Sequence, residues 1–147
     1  MKRHFAGLHV ESRKGDALLE GLFLVRVDQA IYRWHSQKPF FALRFSVLGP
    51  AEHIGQTISG RLYCTSRALW RLNWFLRDFG YDDELLTRDE VDEQALVGLK
   101  GVVQTSRTTL FGRSFLNLRA FAPAQEWETL AAATPEAGNG RENGDGL

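Results

Sequence analysis

Cations and aromatic rings are interleaved along several stretches of this 147-residue chain. In chain order they are Arg26, Tyr32, Trp34, Lys38, Phe40, Arg44, Arg61, Tyr63, Arg107, Phe111 and Arg113. A guanidinium or ammonium group can pair with a phosphate, and a flat ring can stack on an unpaired base for about 1–3 kcal/mol. The combination predicts an interface for single-stranded nucleic acid with little sequence preference.

The same side chains allow other interpretations. Rings on the outside of a strand also cover a helix or a second chain, so Tyr32, Trp34 and Phe40 could instead form a dimer or other protein interface. The surface would also accept RNA in place of DNA. A protein-interaction domain and an RNA-binding domain therefore stay open as alternatives.

Charge is segregated along the chain although the net charge is zero. Residues 1–77 carry twelve Lys or Arg against five acids, and residues 94–123 carry four against none. Residues 78–93 hold eight acids and one arginine, and residues 124–147 hold five acids and one arginine. Salt confines each charge to a neighbourhood of about 8 Å. The basic segments can therefore meet a polyanion despite the neutral total.

Enzymatic motifs are missing from the sequence. It has no phosphate-binding loop with Lys-Ser/Thr, no G-x-S-x-G and no His-Glu-x-x-His. The acidic run from Asp82 to Glu93 lacks calcium-loop spacing and suits the capping of a helix. Cys64 is the only cysteine, and it is expected to be a small buried side chain. These observations predict a protein that is not an enzyme and holds no cofactor or metal.

Hydrophobic periodicity predicts three strands, a helix and two more strands. In the run 22–34 the alternation places Val27 and Ile31 on one face and Asp28, Tyr32 and Trp34 on the other. Further strands are expected at 39–49, 56–64 and on both sides of the loop 108–112, with a helix from an N-cap at Ser66 to Gly80. The order β-β-β-α-β-β, with a short extra helix before the fourth strand, predicts a mainly β, Greek-key barrel of the oligonucleotide-binding (OB) type. In such barrels the second and third strands and two hairpin loops form the binding face.

Residues 20–122 resemble a phage and mobile-element family of proteins of unknown function. The resemblance is carried by EGLFLVRV, KPFFALRFSVLGP, a G-x-x-x-x-G-R-L-Y segment, SRALWRLNWFLRDFG, ALVGLKGVV and FGRSFLNLRAF. Members of the family are thought to be single-stranded-DNA-binding OB-fold proteins. The resemblance implies a role in DNA replication or recombination, with single-stranded DNA and proteins of those processes as partners.

Composition predicts the organisation of the chain. Residues 1–20 are expected to be a loose N-terminal segment, residues 21–122 the binding domain, and residues 123–147 a disordered, acidic, Gly-rich tail. A single cysteine and the lack of a signal peptide or an apolar run of membrane-spanning length predict a cytoplasmic protein without a membrane partner. Homo-oligomerisation is left open by the sequence.

Overall fold

Five antiparallel strands in one sheet dominate the computed structural model, which describes residues 19–133. The strands are β1 Gly21–His35, β2 Lys38–Gly49, β3 Thr57–Tyr63, β4 Lys100–Leu110 and β5 Arg113–Pro123. Their order in the sheet is β3-β2-β1-β4-β5. The predicted mainly β class and the predicted succession of strands are confirmed.

The helices connect and flank the sheet. Helix α1, Leu69–Asp78, and the short helices α2, Asp83–Thr87, and α3, Glu93–Leu96, lie between β3 and β4, and α4, Trp127–Ala133, follows β5. Single 3₁₀ turns occur at Ala51–His53 and Ala124–Glu126. None of these helices of the described chain is long and apolar enough to cross a membrane.

Two details of the helix prediction are corrected. Helix α1 has Ala68 rather than Ser66 at its N-cap, without a side-chain hydrogen bond. The acidic connector, which is the segment from Asp82 to Leu96 between α1 and β4, forms two short helices instead of the single one predicted, because two aspartates cap it. The Asp82 carboxylate accepts hydrogen bonds from the backbone N–H groups of Glu84 and Leu85, and the Asp92 carboxylate accepts one from Gln94.

The core lies between the inner face of the sheet and α1. Phe75 of the helix is fully buried, and its ring lies 4.6 Å from Phe79 and 5.4 Å from Phe121 of β5. Phe45 of β2 completes this cluster at 6.3 Å from Phe75. The three- and four-residue spacing of the apolar positions in α1 thus presents one stripe to the strands.

A β-bulge at Asp28 reverses the faces of β1. Val27 pairs with Phe45 and Gln29 pairs with Arg44, so Asp28 is an extra residue in the ladder. Before the bulge the odd-numbered residues point into the core. After it Tyr32 shares the face of Phe41, its ring 5.3 Å away. The predicted alternation of 22–34 is therefore wrong beyond Asp28, because one added residue moves every following side chain to the other face.

The two edge strands of the sheet, β3 and β5, approach each other without backbone hydrogen bonds between them. In the described residues β3 pairs only with β2, and β5 pairs only with β4. The two strands approach each other where Leu118 covers Gly60: a Cβ at residue 60 would stand 2.7 Å from Leu118 Cγ. The sheet is therefore not closed into a barrel by a continuous ladder, and the OB-type barrel remains an interpretation.

The boundaries of the folded part are wider than predicted. Leu19 is buried, and its carbonyl accepts a hydrogen bond from Thr105 Oγ1 at 2.5 Å. Beyond residue 123, Trp127 of α4 packs against Gly49, where a Cβ would lie 3.1 Å from the indole. Residues 124–133 are thus helical turns anchored by a ring, contrary to the predicted start of the tail. Most of the predicted N-terminal segment and residues 134–147 lie outside the described residues.

Candidate functional site

A groove of about 700 Å³ lies where β3 and β5 approach each other. It is bounded by the outer faces of β1, β2 and β3 on one side and by β5 on the other, with one residue of α1 at its border. The lining residues are Gln29, Ile31, Arg33, Ala42, Leu43, Arg44, Ser59, Gly60, Arg61, Tyr63, Arg71, Phe115, Leu116, Asn117 and Leu118.

Cross-strand pairing arranges the floor of this groove in rows. Gln29, Arg44 and Ser59 form the first row, as Cα partners across β1, β2 and β3. Ile31, Ala42 and Arg61 form the second, and Arg33, Phe40 and Tyr63 form the third. Each row contains one arginine, and successive rows are about 6.8 Å apart along the strands. The floor thus presents a ladder of cations with small, polar or aromatic side chains between them.

The Arg61 side chain is held in place by aromatic neighbours. Its guanidinium carbon lies 4.5 Å from the centroid of the Phe40 ring, and its Nη1 donates a hydrogen bond to Tyr63 Oη at 3.3 Å. The Phe40 and Tyr63 rings are 5.5 Å apart. A cation above an aromatic face is stabilised by the ring quadrupole and loses less freedom when a ligand binds. Arg61 and Tyr63 therefore form a partly preorganised contact surface.

The groove is cationic without compensating acids. Among residues 19–133, four arginines line it, namely Arg33, Arg44, Arg61 and Arg71, and no aspartate or glutamate does. The salt bridges of the described chain are Arg26–Asp28 and Arg88–Glu90, neither of which involves a groove arginine. Four guanidinium groups that make no ion pair within residues 19–133 favour an anionic ligand.

Arg71 adds a specific requirement for an acceptor. Its Nε is buried and has no hydrogen-bond partner among the described residues. A buried donor without an acceptor costs about 1–3 kcal/mol. A ligand oxygen in the groove is a chemically suitable acceptor for this N–H group.

The hairpin of β4 and β5 continues the β5 wall of the groove as an arm. Phe115 is 43% exposed, and it shares a strand face with Arg113 and the groove-lining Asn117. Asn117 Nδ2 donates a hydrogen bond to Thr108 Oγ1. This side-chain contact links the two strands of the arm.

The arm ends in an aromatic side chain at the turn. Phe111 is 95% exposed, and its backbone has φ 52°, followed by Gly112 with φ 77°. Positive φ at both central residues of a two-residue loop is the type I′ geometry that Asn-Gly prefers. Phe111 therefore occupies a strained position at which its ring is almost fully exposed.

Three of the predicted binding residues line the groove directly, namely Arg44, Arg61 and Tyr63. Arg107, Phe111 and Arg113 are exposed on the arm. Lys38 is exposed at the end of the β1–β2 turn.

The other four predicted residues do not present a free group to the groove. Phe40 is only 3% exposed and lies under Arg61, so it supports the surface without offering a ring face. Tyr32 and Trp34 lie on the opposite face of β1 because of the bulge, with their rings 6.3 Å apart. Arg26 is paired with Asp28 at 3.3 Å.

Sequence reasoning missed several lining residues. Gln29, Ile31 and Arg33 reach the groove face only because of the bulge at Asp28, which alternation alone does not reveal. Phe115 lies in a predicted strand, but its position depends on how β5 approaches β3. Arg71 belongs to a strip of basic and aromatic residues at helical spacing, which is visible in the sequence and consists of Arg67, Trp70, Arg71, Trp74 and Arg77.

Other chemistry has little support in the described chain. No group of three or more His, Cys, Asp or Glu residues within it could hold a metal ion. Burial raises the pKa of the Cys64 thiol, so the group is held in its protonated, weakly nucleophilic form. In the acidic connector, the Glu93 carboxylate accepts a hydrogen bond from the backbone N–H of Tyr32, which is a structural contact.

Comparison with known proteins leaves the family open. No protein-family model matches the chain, and no curated protein is significantly similar to it. The resemblance to the phage and mobile-element family therefore stays a prediction from the strand and helix pattern.

Proposed function

We propose that this protein binds single-stranded DNA in the groove between β3 and β5. The observation that carries the proposal is a set of four guanidinium groups, three from the strand rows and Arg71 from α1, without an acid among the described residues that line the groove. Phosphates of an extended strand would meet these cations, while unpaired bases stack on Tyr63 and Phe115. Contacts to backbone and ring faces carry little base identity, so we expect little sequence preference.

An OB-like architecture is part of the proposal. The sheet order β3-β2-β1-β4-β5 with a helix between β3 and β4 matches the connectivity of a partly open, five-stranded Greek-key barrel. The contact of Leu118 with Gly60 brings the two end strands together as such a barrel requires. In that fold β2, β3 and the two hairpin loops form the oligonucleotide face, which is where the groove and the arm lie.

The exposed rings favour a single strand over a duplex. Stacking on Tyr63 and Phe115 requires bases whose faces are free, and in a duplex those faces are covered by neighbouring pairs. RNA offers the same phosphates and base faces, and nothing in the lining selects against a 2′-hydroxyl. We therefore propose DNA from the resemblance of residues 20–122, with roles in replication or recombination and a cytoplasmic location as further expectations.

The proposal predicts how steeply affinity falls with salt concentration. Each phosphate neutralised on a single strand contributes about 0.7 to the slope of log affinity against log salt. Four groove arginines therefore predict a slope of about 2.8, or about a 50-fold loss of affinity between 50 and 200 mM salt. Additional contacts from Arg107 and Arg113 on the arm would steepen this slope.

The test is a fluorescence anisotropy titration with labelled oligothymidylate, a duplex and a matching RNA at two salt concentrations. Single-stranded DNA should bind with the expected salt slope, and the duplex should bind more weakly. Replacing both Arg44 and Arg61 with Gln should reduce the slope by about 1.4. The absence of binding to any of the three nucleic acids at low salt would refute the proposal.

A matched control variant distinguishes binding in the groove from a general electrostatic attraction to the protein. The double variant Arg77→Gln, Arg88→Gln removes the same charge, but both residues are exposed and neither lines the groove. Its affinity should stay within a factor of about two of the unmodified protein, because neither arginine lines the groove and salt screens exposed charges. An equal loss in both double variants would indicate a general electrostatic attraction and no defined site.

A second candidate function is supported by the other face of β1. Tyr32 is 41% and Trp34 is 65% exposed there, away from the groove. Two neighbouring exposed rings are typical of a protein contact, with a second copy of the chain or with a different protein. This contact is compatible with nucleic acid in the groove, and light scattering of the Trp34→Ala variant against the unmodified protein tests for self-association.

A further inference from the structure

Helix α1 borders the groove with Arg71, and the residue before it, Trp70, points outside the core. Trp70 is 58% exposed, while Arg71 lines the groove. We infer that the bound strand continues from the sheet onto α1, where Arg71 holds a backbone phosphate and Trp70 contacts the next base. This inference rests on the proposed function and extends its site to a second element.

Arg71 is suited to hold a phosphate at the end of the groove. The guanidinium group offers five N–H donors in a planar fork that matches phosphate oxygens. One of them, Nε, is buried without an acceptor in the described chain. An anion bound there would satisfy a donor that the protein itself leaves unpaired.

Trp70 is held in position by its neighbours. The Arg71 guanidinium carbon lies 5.1 Å from the centroid of the Trp70 ring, and the Trp74 ring is stacked 6.2 Å away at an interplanar angle of 25°. Trp74 is itself fixed, because its Nε1 donates to Asp78 Oδ2 at 2.9 Å and its ring packs on Phe121 at 5.7 Å. An exposed ring supported by a fixed one is a preorganised platform, which loses little freedom on binding.

The surroundings of Trp70 favour a base over an apolar protein segment. Arg67, Arg71 and Arg77 are the charged residues of the same helical region apart from Asp78, whose carboxylate is engaged by Trp74. Leu69 is the exposed apolar neighbour in sequence. A cationic surface with one stacked indole, continuous with a cationic groove, is the combination that single-stranded nucleic acids recognise.

The test compares labelled oligothymidylates of increasing length, from about 4 to about 16 nucleotides, the range of site sizes for one OB fold. Trp70→Ala should bind the longest strand about 5- to 150-fold more weakly than the unmodified protein, with a smaller difference for the shortest. Trp70→Phe should retain most of the affinity because it keeps a ring. Thermal melting of each variant checks that the fold is preserved.

A second test asks whether the Arg71 side chain of α1 neutralises a phosphate. Arg71→Gln should lower the salt slope by about 0.7, whereas Arg77→Gln, which removes an exposed arginine outside the groove, should leave the slope unchanged. Equal slopes for these two variants, or a Trp70→Ala variant with unchanged affinity at every length, would overturn the inference. The proposed function would survive that result as long as the unmodified protein binds and the Arg44→Gln, Arg61→Gln variant shows the salt slope reduced by about 1.4.

Discussion

Replacing Phe111 with Asn should change stability and binding in opposite directions. Phe111 has φ 52° at the first central position of the β4–β5 turn. A left-handed conformation costs an ordinary L-residue roughly 1–2 kcal/mol, whereas Asn adopts it routinely. The ring contributes almost nothing to the core, since 95% of the residue is exposed. We therefore expect Phe111→Asn to raise the free energy of unfolding by about 0.5–1 kcal/mol, or the melting temperature by about 2–4 °C.

Under the proposed function the exposed Phe111 ring offers a bound base a stacking surface at the tip of the arm, and the same substitution removes that ring. Loss of one stacked base corresponds to about 1–3 kcal/mol, so affinity for oligothymidylate should fall about 5- to 150-fold. Calorimetry and fluorescence anisotropy on one preparation measure both effects. Phe111→Tyr keeps the ring and should bind nearly as well as the unmodified protein.

The β1–β2 turn provides a matched control. Ser36 has φ 51° at the equivalent position of its own two-residue turn, so Ser36→Asn should give a comparable stabilisation without removing a ring. A Phe111→Asn variant that is less stable than the unmodified protein would show that the ring has a folding role, contrary to the expected relief of strain. A Phe111→Asn variant that binds as tightly as Ser36→Asn would show that the ring does not contact the strand.

Further substitutions address the sheet, the groove and the thiol. Gly60→Ala should destabilise the fold by about 1–3 kcal/mol in denaturant titrations, because the new Cβ would stand 2.7 Å from Leu118 Cγ; unchanged stability would mean that β3 and β5 do not meet there. Arg44→Gln should lower the salt slope of binding by about 0.7 while leaving the melting temperature unchanged, and an unaltered slope would remove Arg44 from the site. Phe40→Ala should cost about 3–5 kcal/mol of stability because the ring is 3% exposed, and a variant that melts normally would show that Phe40 is not part of the packed structure. Since burial raises the pKa of the Cys64 thiol, the fraction of thiolate at pH 8 should be below that of a free thiol, and mass spectrometry should detect slower alkylation by iodoacetamide than for glutathione; equal rates would contradict the burial.

Hydrophobic alternation was sufficient to predict the elements in regular parts of the sheet. Strand β2 has its inner residues at Phe41, Leu43, Phe45 and Val47, as the period of two predicts, and all four are buried. The apolar stripe of α1 was predictable for the same reason, since three- and four-residue spacing is read directly from sequence. In these segments each side chain's position follows from its neighbours along the chain.

Side-chain positions were less predictable where bulges interrupt the alternation in β1 and β5. Asp28 shifts Tyr32 and Trp34 away from the groove and brings Arg33 to it. In β5, Arg119 is the extra residue between the pairs Gln104–Ala120 and Thr105–Leu118, so Phe121 enters the core although alternation predicts the outer face. A bulge depends on pairing with a partner strand, and a local pattern carries little information about it.

Photochemical crosslinking tests the location of binding most directly. Single-stranded DNA that carries 5-iododeoxyuridine would be irradiated in complex with the full chain, and the crosslinked peptides would be identified by mass spectrometry. The groove predicts adducts on Tyr63 and Phe115, the rings that line it. Adducts confined to Tyr32 and Trp34, on the opposite face of β1, would contradict the account, as would the absence of any adduct under conditions where the strand is bound.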